Sequence, residues 1–309
     1  MSGPYGAAAS ESFCLNYSGR DSVMAMMRYN FLSEVLSLSV DVTITYPTGH
    51  CTYNSDPSAK ADIVMDRREK TPYRSGMKFQ TVYMLHGGSD DDTTILRNTR
   101  LEQYAQRNCV MTVSAQVKDS FYMDTRYGFR YFTFITEELP CVMQSLFASS
   151  PVREDNFVVG MAMGGNGALA LYLRRPELYA ACVDLSGGIG CSVDTEYLIQ
   201  ELSQLDIARL KNAFPPAGEI EGSVYDLKAF ARRHKQAGTD MPELFMAVGE
   251  NDFIRDVVRK DKDALKMLGY DFLYEEAPGC GHDWDFWDAY IQKAFDLWLP
   301  LKRVPVYPE

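Results

Sequence analysis

From Phe79 onward, short apolar runs alternate with longer stretches whose apolar residues recur every three to four positions. Thr81 to Leu85, Val110 to Val113, Asn156 to Val159, Ala181 to Leu185 and Leu244 to Val248 are apolar on both parities, as strands covered on both faces are. Phe272-Leu273-Tyr274 is a further short strand. Between these runs, residues 101–106, 136–147, 224–236, 257–267 and 284–298 carry helical periodicity, the last stopped by Pro300. Leu38 to Tyr46 differs, because Val40, Val42 and Ile44 alternate with polar residues as in a half-exposed antiparallel strand. Strand and helix alternating in this way specify an α/β fold, with a mostly parallel central sheet and helices on both faces. Residues 48–78 are mostly polar and read as a long connection, whereas 189–222 break the alternation like an insertion over the sheet. The expected organisation is a tag or disordered segment over 1–20, followed by a single domain over 21–309.

Composition narrows the partners. A net charge of −11 over 309 residues argues against nucleic acid and anionic membranes, which both require concentrated Lys and Arg. No stretch approaches the ~18 apolar residues of a membrane span. Seven widely spread cysteines, an odd count with no C-x-x-C pair, fit reduced thiols in a cytoplasm better than a disulfide framework or a zinc site. Met1 to Ser10 lacks the basic and apolar regions of a secretory signal, so a cytoplasmic protein is expected; a signal replaced by a tag would leave the same pattern. A homo-oligomer is compatible with this composition.

Gly160-Met161-Ala162-Met163-Gly164 has the form of G-x-S-x-G with alanine at the nucleophile position. That motif sits on a sharp strand-to-helix turn, and both flanks fit: a β-branched strand before it, and Gly164 to Leu169 opening a helix after it. Alanine has no oxygen with which to attack a carbonyl. In this architecture the acid and the histidine follow the nucleophile in chain order. Among His50, His86, His234 and His282, only His282 lies between the last strand and the last helix, where the general base belongs. His234 reads as a surface residue in a basic helix. Asp252, in Gly249-Glu250-Asn251-Asp252, is the expected acid, with Glu250 as the alternative and a helix N-cap as the plain reading.

His86-Gly87-Gly88 follows the first buried strand, so Gly88 is expected to supply one oxyanion-hole amide and Met163 the other, with His86 bonding loop backbone. Phe121, Tyr122 and Tyr127, in an aromatic segment after a strand, and Trp284 are the expected substrate contacts. Asp90-Asp91-Asp92 lacks EF-hand spacing and reads as a solvated loop.

Taken together, Met84 to Asp91, Tyr127 to Ile135, Gly160 to Leu169 and Gly281 to Trp284 resemble the esterase D-like α/β-hydrolases, and most closely the feruloyl esterases of carbohydrate esterase family 1. The resemblance covers roughly residues 28–300. It implies hydrolysis of carboxylic esters through an acyl-enzyme, without a cofactor, and many members of the family release ferulate or related hydroxycinnamates from plant-derived sugars or quinate; no metal site is expected. S-formylglutathione hydrolase or a general short-chain esterase is the alternative within the superfamily, and a non-catalytic ester-binding protein the alternative outside it. Ala162 departs from the family's serine while Asp252, His282 and the oxyanion loop match, so an engineered Ser-to-Ala change that traps intact ester is the economical expectation.

Overall fold

The computed structural model describes residues 24–47, 75–188, 192–204 and 208–308. The expected N-terminal segment, most of the 48–78 connection, His50, and Cys14, Cys51 and Cys191 lie outside the described residues. The remaining cysteines, Cys109, Cys141, Cys182 and Cys280, carry free thiols.

Eight strands form one sheet: β1 (Met24–Ser33), β2 (Leu38–Pro47), β3 (Thr81–Leu85), β4 (Met111–Ala115), β5 (Asn156–Met161), β6 (Ala181–Leu185), β7 (Glu243–Gly249) and β8 (Leu273–Ala277). Their order is β1-β2-β4-β3-β5-β6-β7-β8. The six strands from β3 onward are mutually parallel, and β1–β2 is an antiparallel hairpin attached to the free edge of β4. Every residue of β3, β4, β5 and β6 is buried, which is why these strands read as unbroken apolar runs. Successive side chains feed opposite cores: Tyr83 and Leu85 of β3 enter one layer, Val82 and Met84 the other. The helices Leu101–Arg107 and Trp284–Lys293 cover the second layer, while Leu139–Leu146, Met163–Arg174, Leu227–Ala237 and Arg255–Met267 cover the first.

The expected strands recur to within a few residues, except that β1 is an addition. Its sequence, Met24 to Ser33, carries apolar residues on both parities, with Met26 and Leu32 exposed, so its alternation is masked. The helix expected over 136–147 is preceded by a π-turn at Phe134–Glu138, just ahead of Pro140. The wider turn suits a residue that cannot donate to the preceding turn and would clash with its carbonyl. The stretch expected to be an insertion contains the helices Thr195–Gln204 and Ala208–Ala213. Among the described residues no helix is long and apolar enough to cross a membrane.

Candidate active site

Ala162 sits at the carboxyl end of β5, between the strand and the helix Met163–Arg174, with φ +50° and ψ −119°. A non-glycine residue held there is strained by roughly 1–3 kcal/mol and persists only because its surroundings dictate it. Those surroundings are visible. A methyl at Gly160 would overlap the Gly164 carbonyl, and one at Gly164 would overlap the Leu85 carbonyl, so both glycines are sterically required. The Ala162 N–H donates to Leu185 O at 2.9 Å, pinning the turn to the next strand. Ser89, Phe121, Tyr122 and Ser186 also have positive φ, each in the segment that follows a strand end. Strain therefore gathers along one end of the sheet.

Three strand-end loops converge there. After β7, Asp252 is buried; after β8, His282 directs Nδ1 at its carboxylate, at 2.9 Å from Oδ2 and 3.1 Å from Oδ1. The two loops are stitched together by Glu250 N–H to Ala277 O and Asn251 N–H to Cys280 O. Gly249 permits this approach, since a side chain there would strike the carbonyls of Cys280 and Gly281. Asp252 also accepts from the Ile254 N–H at 3.0 Å and from Ser186 Oγ at 2.7 Å. Burial alone would raise this carboxyl, but the bonds from His282, Ile254 and Ser186 outweigh it and hold Asp252 below the usual carboxylate range. It thus stays ionised, fit to orient an imidazole and stabilise its protonated form. Glu250 is committed elsewhere, accepting the Gly279 N–H at 2.9 Å.

On the opposite side, Gly87 lies against the elbow: a methyl built on it would stand 3.5 Å from the Ala162 Cβ. His86 braces this loop. Its Nδ1 donates to Gly87 O at 2.8 Å and its Nε2 accepts the Val117 N–H at 3.2 Å. Burial lowers its pKa, which keeps the ring neutral and its one acceptor nitrogen available. The Gly88 N–H donates to no group among the described residues, and Met163 opens its helix, where an amide lacks an intrahelical acceptor. Both candidate oxyanion donors are thus uncommitted.

Several expected contacts move. Tyr122 is fully buried; its ring packs against Gly167 and its hydroxyl donates to His86 O at 3.1 Å, so it braces the loop after β3 instead of facing a substrate. Tyr127 is 73% exposed on a turn closed by Thr125 N–H to Phe129 O, with Arg126 over its ring. Phe121 is buried edge-on to Phe214. Trp284 is half-buried beside Trp287, which packs edge-on to the His282 ring. Phe253, unflagged in the sequence, lies 4.7 Å from the His282 ring and is 73% exposed, a free aromatic surface beside the imidazole. Ser186 is likewise unflagged; its one signal is that a polar residue directly follows the strand next to the elbow.

Asp90-Asp91-Asp92 is not the solvated loop it reads as. Asp92 is fully buried between Arg28 of β1, at 3.0 Å, and Thr43 of β2, at 2.7 Å, tying the hairpin to the loop after β3. Asp91 accepts from the Thr93 N–H and from the hydroxyls of Thr93 and Thr94 at the start of the next helix. His234 is half-buried as well, bridging Thr239 Oγ1 and Leu173 O.

Residues 70–295 match the model of the family described as "Putative esterase". An acetyl esterase of Caldicellulosiruptor saccharolyticus is 28% identical over 281 residues, spanning 89% of this chain and 98% of that protein. Among solved structures, the substrate-bound serine hydrolase FphF of Staphylococcus aureus superposes with a TM-score of 0.71 at 25% identity, covering 90% of this chain and 99% of that one. The S-formylglutathione hydrolase FrmB of the same organism gives 0.70 at 25% identity, over 89% and 99%. A ferulic acid esterase shares the fold, with a TM-score of 0.64 at 20% identity over 90% and 98%.

Proposed function

The chain belongs to the esterase family matched over residues 70–295, and from that premise we propose that its pocket takes carboxylic esters with an aromatic part, of the hydroxycinnamoyl type. With serine at position 162, the pocket would cleave them through an acyl-enzyme. With alanine there, the chain binds such esters without consuming them. The observation that carries this reading is the His282–Asp252 pair, held intact beside a strained elbow that serves no other visible purpose. A site long freed from catalysis has no reason to keep strain, a buried charged acid and two uncommitted amides, so Ala162 reads as a replaced serine.

In the working enzyme, the hydroxyl supplied by Ala162→Ser would attack the ester carbonyl while His282 Nε2 takes its proton. Asp252 holds the imidazole by Nδ1, and the Gly88 and Met163 amides receive the oxyanion, each worth roughly 3 kcal/mol. His282 then returns the proton to the leaving alcohol, and water repeats the sequence to free the acid. Phe253 and Trp284 offer flat surfaces to a phenolic ring. A second reading, hydrolysis of a small acyl ester such as an acetate, is favoured by the likeness to the acetyl esterase over nearly the whole of both chains.

Ala162→Ser tests the proposal. Loss of a triad serine costs about six orders of magnitude in a well-studied protease, so a gain of at least about 10⁴-fold in ester hydrolysis is expected. Methyl ferulate preferred over 4-nitrophenyl acetate by kcat/KM supports the aromatic reading, and the reverse order supports the small-acyl one. Preference for S-formylglutathione would overturn both, and a folded but inert revertant would leave a binding protein.

A further inference from the structure

The short helix Ala208–Ala213, in the stretch expected to be an insertion, brings Arg209 to the loop after β3, beside the candidate oxyanion residue Gly88. A methyl built on Gly88 would meet two side chains within 4 Å, Asp119 Oδ1 at 3.5 Å and Arg209 Nη1 at 3.7 Å. The guanidinium therefore lies within about 7 Å of the Gly88 nitrogen. Its helix is firmly seated. Leu210, Ala213 and Phe214 are buried, Phe214 edge-on to Phe121, and Asn212 O accepts the Arg126 N–H at 2.9 Å.

Most of this guanidinium is uncommitted. Nη1 alone makes contacts, at 3.5 Å from Ser89 Oγ and 3.8 Å from Asp119 Oδ2; among the described residues Nε and Nη2 have no partner. Asp119 turns its other oxygen to the Ser89 N–H at 2.6 Å, so it steadies the arginine without filling its fork. Structural arginines of this chain behave differently. Arg107 grips Asp296 by both prongs at 3.1 and 2.6 Å, and Arg259 grips Glu276 at 2.8 and 2.6 Å. The Arg209 side chain is instead 47% exposed, with its Nε–Nη2 edge open.

An open planar fork is the geometry that receives the two oxygens of a carboxylate. The surroundings make that charge matter. The chain carries a net charge of −11, and Asp119 beside Gly88 and Asp90 beside Gly87 add negative charge at this loop. An anionic ester approaching here is repelled unless a local cation receives it, whereas a neutral ester gains no ion pair from Arg209.

We propose that Arg209 is a specificity-determining residue that selects esters bearing a carboxylate a few bonds from the scissile carbonyl, held by its Nε–Nη2 edge. The inference rests on the esterase reading of the site. Two matched pairs test it in the Ala162→Ser background, each differing only in whether the carboxylate is free or methylated. Chlorogenate against its methyl ester places the charge on the alcohol, and 4-nitrophenyl hemisuccinate against 4-nitrophenyl methyl succinate places it on the acyl group. In one pair the free acid should be preferred about tenfold in kcat/KM, mainly through KM, as one charge-assisted interaction would give. Arg209→Gln should erase that preference, and Arg209→Lys, which keeps the charge and loses the fork, should retain only part of it. Because each preference is a ratio within one variant, partial loss of folded protein cancels. No preference for the acid in either pair, or a preference that survives Arg209→Gln, would overturn the proposal. If Ala162→Ser hydrolyses none of the four esters, the esterase reading fails. Calorimetric Kd values for chlorogenate and its methyl ester on the chain as it stands then decide the role of Arg209 separately: tighter binding of the acid that Arg209→Gln abolishes supports it, and equal values or no binding overturn it.

Discussion

The chemistry of the candidate site depends on how firmly one carboxylate is held. Asp252 accepts from three sources, and the least obvious is Ser186, whose hydroxyl crosses from the end of β6. In the Ala162→Ser background, Ser186→Ala removes one hydrogen bond to a charged acceptor, a loss of up to about 1.5–3 kcal/mol. Kinetics on methyl ferulate should show kcat reduced roughly tenfold with KM little changed, because Ser186 is fully buried. Asp252→Asn should cost about 10⁴-fold in kcat by favouring the wrong imidazole tautomer. A near-normal rate in Asp252→Asn would reassign the acid, and unchanged kcat in Ser186→Ala would reduce that serine to a loop brace.

The elbow is a turn whose conformation is imposed by backbone packing. Gly160 and Gly164 have no room for a methyl because carbonyls of the same turn and of β3 occupy it. Neither obstacle is the movable tip of a side chain. Gly164→Ala is therefore expected to destabilise the fold by more than about 3 kcal/mol, in the range of severe overpacking. Gly218, in the short 3-10 turn Ala217–Glu219, has open space around its Cα, so Gly218→Ala should lie within about 0.5 kcal/mol of the parent. Urea unfolding of the two variants side by side provides the check. Equal midpoints would mean that the elbow relaxes more readily than its contacts imply.

Across the molecule, buried carboxyls give stability a distinctive pH dependence. Burial raises Asp184, at the end of β6, to about 7, although the Gly187 N–H partly offsets it. Burial likewise raises Asp261 to about 8; it receives Ser192 Oγ and the N–H groups of Val193 and Asp194, and Asp184 pushes it further. Below those values each keeps its proton in the fold, whereas both ionise near pH 4 in the unfolded chain. Their contribution is therefore complete below about pH 4 and is lost as pH rises through 7 and 8. Asp252 runs the other way, its contribution present above the unfolded carboxylate pKa and lost on acidification. Thermal unfolding should show a Tm that falls between pH 5 and pH 8.5, with Asp184→Asn flattening the decline. A Tm that climbs steadily over that window would show that neither carboxyl is protonated in the native state.

The parts legible from the chain are those decided by local sterics and periodicity. The central parallel strands announced themselves because both faces are buried, and the helices because one face is. The elbow could be read because its glycines are demanded by atoms of the turn and its neighbouring strand. The order of position 162, Asp252 and His282 follows from strand succession alone. Other assignments waited on contacts between distant segments. Asp252 and Glu250 are equivalent as residues, and only the juxtaposition of the β7 and β8 loops gives one to His282 and the other to a backbone amide. Tyr122 and Tyr127 share one aromatic segment, yet one fills the space above Gly167 and the other meets solvent. Asp92 reads as a surface charge until the β1–β2 hairpin, about fifty residues upstream, supplies Arg28 and Thr43. A hydrogen bond or a buried charge is a relation between two places in space, and sequence spacing specifies only the one along the chain.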